Sequence, residues 1–200
     1  MPKNGTTGTN GADASAHRKR TTKTLRERAV DPDQSVRMAL VDRDKIPARV
    51  EAVLAVDKDV NIRLNLSVRP DLRRATILAL SLDPSAGVRY SILRNKRVRL
   101  PPIVIEHLAR DENNIVRSSL AHFEKLTERI KRTLAADRET SVKLAILSRK
   151  DLSCVIVARL KRDENHEVQQ AADLRFAEFS AHERIEAQAI VRKRGLGGNK

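Results

Sequence analysis

DPSAGVRYSILRNKRVRLPPIVIEHLAR, residues 83–110, holds two short apolar-patterned segments joined by a basic turn. The next stretch, DENNIVRSSLAHFEKLTERIKRTLAA at residues 111–136, repeats that pattern. Each opens on Asp, has Val five residues later, Arg immediately after, and Leu near its end. Working outward, Asp recurs at Asp31, Asp57, Asp83, Asp111, Asp137 and Asp163, with spacings of 26, 26, 28, 26 and 26. A β-branched column follows it at Val36, Ile62, Val88, Val116, Val142 and Val168, and then a polar one at Arg37, Arg63, Arg89, Arg117, Lys143 and Gln169. Leu54, Leu80, Leu108, Leu134 and Leu160 form a fourth column, which fails only at Glu186. Columns in phase at a period in the twenties mark a repeat architecture of stacked units.

Each unit reads as two helices. Two residues after the repeated Asp stand Asp33, Asp59, Ser85, Asn113, Glu139 and Asn165. Five of these have short side chains that accept bonds from the free N–H groups of a helix start. The spacing predicts a first helix over 34–41, with Val36 and Leu40 facing inward at i, i+4. A polar turn follows, and Pro47 or the Pro101–Pro102 pair opens a second helix, where a missing N–H costs nothing. That helix buries Val50, Val53 and Leu54, with Val104, Leu108, Ile130, Leu134, Ile156 and Leu160 as later counterparts. Two such helices cannot cover their own apolar faces, so the units must stack.

The segments DPDQSVRMAL…IPARVEAVLA, DPSAGVRYSI…LPPIVIEHLA and DENNIVRSSL…LTERIKRTLA resemble the variant leucine-rich repeats, relatives of HEAT repeats. The resemblance covers residues 30–162 well and 163–191 poorly. It implies an all-α, right-handed solenoid of six repeats of about 26 residues, pairing an α-helix with a short, often 3₁₀, second helix. It also implies binding or scaffolding without shared catalytic residues, and an Asp–Arg pair that ties each layer to the next. Arg37, Arg63, Arg89 and Arg117 are therefore expected to be structural rungs. The last unit departs from the pattern at Gln169, Ala172, Glu186, Phe176 and Phe179, and reads as a C-terminal cap with a polar outer face.

The net charge of +14 is uneven. Residues 1–29 carry +5 and residues 192–200 carry +4, so most of the excess lies outside the 30–191 repeat region. Within that region, 56–110 and 111–162 are basic at +6 and +5, while 163–191 is acidic at −5. The polar, Gly-rich start reads as a disordered basic arm over 1–29, carrying Arg18, Lys19 and Arg20, with a capping helix possible within 21–30. Residues 192–200 read as a second basic tail. No apolar run suits a signal peptide or membrane span, and a lone Cys154 suits a reducing cytoplasm. One cysteine also excludes an intrachain disulfide and a Cys-rich metal site.

Twelve residues after the repeated Asp lie Arg43, Arg69, Asn95, Phe123, Arg149 and Arg175, with Arg94, Lys96 and Lys150 alongside. This column falls on the turn between helices and is expected to emerge along one edge. With layers about 8–10 Å apart, it would form a ribbon able to follow a sugar–phosphate backbone. The turn in the 28-residue unit concentrates Arg94, Lys96, Arg97 and Arg99, and its two extra residues lengthen the loop. DNA or RNA is the expected partner, and an acidic protein the alternative. Only Tyr90 and three Phe are aromatic, so stacking along a single strand is not expected. No cofactor is expected, and no P-loop, dinucleotide fingerprint or nucleophile elbow is present. HEAT-like DNA glycosylases share the architecture, but their chemistry relies on aromatic side chains around the lesion, and this chain has no Trp. Cys154, near a helix start where thiol pKa values fall, reads as a packing residue.

Overall fold

The computed structural model describes residues 23–195, and all regular structure among them is helical. In chain order the helices are α1 (Leu25–Ala29), α2 (Gln34–Val41), α3 (Ala48–Leu54), α4 (Val60–Ser67) and α5 (Arg74–Ser81). They continue with α6 (Ala86–Arg94), α7 (Pro102–Leu108), α8 (Asn114–Ala121), α9 (Glu128–Ala135) and α10 (Thr140–Leu147). The last three are α11 (Cys154–Leu160), α12 (His166–Ala177) and α13 (Ala181–Gly195). The expected 3₁₀ second helices are instead α-helical turns. Arg18, Lys19 and Arg20 lie outside the described residues. α13 runs to Gly195, into the span read as a basic C-terminal tail from 192.

Local chemistry sets the helix starts. Asp33, Asp59, Asn113 and Asn165 accept bonds from amides at the starts of α2, α4, α8 and α12. Ser85 and Glu139 hold the same N-cap position without a side-chain bond. Among the second helices, Pro47 and Pro101 are N-caps, and Pro102 takes the first helical position of α7. Thr24 and Glu27 close a capping box that starts α1, inside the span where a capping helix was expected.

Short helices are stabilised mainly by the faces they bury. The first helices pack in series, α2 on α4, α4 on α6, α6 on α8, α8 on α10 and α10 on α12. The alternate row runs α1 to α3, α3 to α5 and α5 to α7, and resumes from α9 to α11 and α11 to α13. Contact between α7 and α9 is sparse. The core between the rows is the repeat columns themselves: Ile62, Val88, Val116, Val142 and Val168 are buried, as are Leu54, Leu80, Leu108, Leu134 and Leu160. Val36 is only half-buried, because the five-residue α1 covers less of α2 than a full repeat would. The outer face of α13 is mixed, with Glu183, Glu186 and Gln188 exposed beside Ile185 and Ile190.

Candidate nucleic-acid interface

The Arg column six residues after each Asp is occupied by structural bonds. Arg37 donates through Nε and Nη2 to both carboxylate oxygens of Asp57 at 2.7 and 3.0 Å, and through Nη1 to the Asp31 carbonyl at 2.7 Å. Arg63 spans Asp83 and the Asp57 carbonyl in the same way, Arg89 spans Asp111 and the Asp83 carbonyl, and Arg117 spans Asp137 and the Asp111 carbonyl. Lys143 grips both oxygens of Asp163, and Gln169 keeps only the bond to the Asp163 carbonyl. At the other end, Asp31 takes Lys23 at 2.6 Å. Each Asp also accepts the amide two residues on, for example Asp59 N–H to Asp57 at 2.9 Å. Burial, the largest single influence, pushes the Asp57 and Asp137 carboxyls up, but the bonds from Arg37 and Arg117, the amide bonds from Asp59 and Glu139 and the guanidinium charges together hold both below the usual range. None of these guanidinium groups is free for a ligand.

The basic column on the inter-helix turns is mostly not a ligand surface either. Arg69 donates to the carbonyls of Val41, Arg43 and Asp44 in the preceding unit at 2.5, 2.7 and 3.1 Å, and to Asp71. Arg149 clamps Ala121, Phe123 and Glu124 carbonyls identically and pairs with Asp151. Its side chain is 8% exposed and that of Arg69 is 13% exposed. Asn95 reaches the Ser67 and Arg69 carbonyls, both at 2.8 Å, and Arg175 reaches those of Arg149 and Lys150. These side chains satisfy carbonyls left open where a first helix ends. Arg69 and Arg149 therefore leave the set of expected phosphate ligands, because their donors are spent on backbone. The signal in the sequence is the acid two residues on, Arg69 with Asp71 and Arg149 with Asp151.

What remains is a narrower group. Arg94, Lys96, Arg97, Arg99 and Lys150 are exposed, as are Arg74 and Lys125, which the column reading passed over. Among the described residues none of these seven side chains joins an ion pair. Arg43 is also exposed and without an ion pair, but Asp42 and Asp44 flank it. Arg73 is tied to the buried Glu51. The α6–α7 turn separates two grooves. One, of about 500 Å³, brings Arg74 together with Arg97 and Arg99 over Pro70 and Leu72. The other, of about 980 Å³, lies between that turn and the α8–α9 turn and brings Arg94, Lys96 and Arg97 opposite Lys125, with Phe123 in its wall.

Cys154 begins α11 but is buried, and burial pushes its thiol up, with Glu183 adding to the shift. No group of three or more His, Cys, Asp or Glu among the described residues could hold a metal ion, and none of their helices is long and apolar enough to cross a membrane. Comparison with family models, with curated proteins and with solved structures returned no match.

Proposed function

We propose that the chain is a non-enzymatic, nucleic-acid-binding α-solenoid of six repeats that contacts the phosphate backbone through the inter-helix edge centred on the α6–α7 turn. The serial packing of alternate helices and the Asp–Arg rungs support the solenoid. One observation carries the function: structural bonds occupy Arg69, Arg149 and Arg175 of the turn column, yet Arg94, Lys96, Arg97 and Arg99 stay exposed and outside any ion pair among the described residues, with Arg74 and Lys125 beside them. Such a cluster gains affinity by releasing counterions from a polyanion, with little dependence on base sequence.

An acidic protein is the second reading. Val30, Val56 and Leu82 precede the repeat Asp in three successive units and are 66%, 72% and 54% exposed, an apolar row of the kind protein interfaces cover. A binding titration against duplex DNA, single-stranded DNA and RNA over a range of salt concentrations separates the two. Salt-sensitive binding to any of them, persisting against excess polyglutamate, supports nucleic acid. Failure to bind any of the three at low salt gives the function to a protein partner.

A further inference from the structure

The clamp that joins the turns of successive units is broken at one junction. In the second, third, fifth and sixth units the residue twelve after the repeat Asp donates backward to carbonyls of the preceding turn, as Arg69, Asn95, Arg149 and Arg175 do. In the fourth unit that residue is Phe123, which has no donor. Among the described residues no side chain reaches the carbonyls of Leu93 or Asn95, the counterparts of those that Arg69 and Arg149 bind; the Asn95 carbonyl takes only the Val98 amide, at 3.3 Å. Two further features fall at the same place. The third unit alone has 28 residues, its two extra ones lengthening the turn. Contact in the second-helix row is also sparse there, between α7 and α9, and the ion pair across them among the described residues is Glu106–Arg129 at 3.9 Å. The first-helix side is closed by the buried Arg89–Asp111 rung. The junction is thus tied between its first helices and unclamped at its turns.

The larger groove lies at this junction, between the α6–α7 and α8–α9 turns. Its walls combine a half-buried aromatic ring, Phe123, with Ile105 and Val98, and its rim carries Arg94, Lys96, Arg97, Arg99 and Lys125 against a single acid, Glu124. Its volume of about 980 Å³ is at the top of the range of small-ligand pockets. An aromatic ring beside several cations suits a group that is planar at one end and anionic at the other. We infer that this gap seats a single unpaired nucleotide of the bound nucleic acid, its base against Phe123 and its phosphate on the surrounding Arg and Lys side chains. This rests on the nucleic-acid reading and adds to it a preference for bulged or otherwise unpaired positions over continuous duplex. One aromatic ring provides one stacking site, so the preference is for an isolated unpaired nucleotide rather than a long single strand.

The test uses the full chain and three probes: a short duplex, the same duplex with one bulged nucleotide, and the same bulge lacking its base. Stacking of one base corresponds to a preference of roughly fivefold or more for the bulged duplex over both others. Phe123→Leu keeps the apolar volume and Phe123→Arg restores the clamp found in neighbouring units. Both should abolish the preference, read as the ratio of affinities for the bulged and continuous duplexes, and thermal melts establish that each is folded. Equal affinity of the unaltered protein for all three probes would overturn the inference and leave the backbone-binding reading standing. Binding to none of them at low salt removes both.

Discussion

At the scale of single residues, identical side chains have opposite jobs according to what their donors meet. Arg63 is enclosed by Asp83, whose side chain is 2% exposed, and by a backbone carbonyl, whereas Arg97 meets solvent. Arg63→Ala should cost about 3 kcal/mol, since it strands a buried carboxylate, and Arg97→Ala should stay within about 0.5 kcal/mol. Urea unfolding of the two variants checks this. Lys143 occupies a rung but makes no bond to the Asp137 carbonyl that an arginine there would reach. Lys143→Arg is expected to raise stability by about 1 kcal/mol in the same assay. The rungs are legible from sequence because both partners recur in phase. Arg69 and Arg149 are not: a basic residue on a polar turn looks solvated until the backbone carbonyls of the previous turn are known to converge on it. Only the nearby Asp71 and Asp151 hint at the clamp.

Elements are set by local signals, and there the sequence is most readable. A cap depends on bonds spanning two or three residues, so Asp33, Asp59, Asn113 and Asn165 declare their helices without tertiary information. Glu139 sits at the same position, but its longer side chain makes no cap bond. Glu139→Asp should therefore stabilise α10 by about 0.5–1 kcal/mol, measured as a shift in the unfolding midpoint. What sequence does not reveal at this scale is how neighbouring elements part. The extra length of the α6–α7 turn is visible, but the groove it borders depends on how that turn packs beside the α8–α9 turn, where Phe123 has no donor for the preceding carbonyls. Arg74 and Lys125 enter the candidate site for the same reason: they fall outside the column and join the grooves only through packing.

For the whole molecule, charge links stability and binding. Lys23 holds Asp31 below the usual carboxylate range, Arg149 does the same for Asp151, and Lys143 offsets burial at Asp163. With Asp57 and Asp137 these groups contribute stability that is complete above their unfolded pKa of about 3.9 and is lost as pH falls through the lower folded values. Thermal midpoints should be flat from neutrality down to about pH 5 and then fall steeply. The net charge of +14 adds self-repulsion as carboxylates are neutralised, steepening the loss. The most direct test of the central claim is the slope of log affinity for duplex DNA against log salt, measured for the unaltered protein and for the Arg94→Ala, Lys96→Ala, Arg97→Ala, Arg99→Ala quadruple variant. The variant should stay folded, bind more weakly, and lose about 0.9 of slope for each phosphate contact removed. A folded variant with the affinity and slope of the parent at every salt concentration would contradict it.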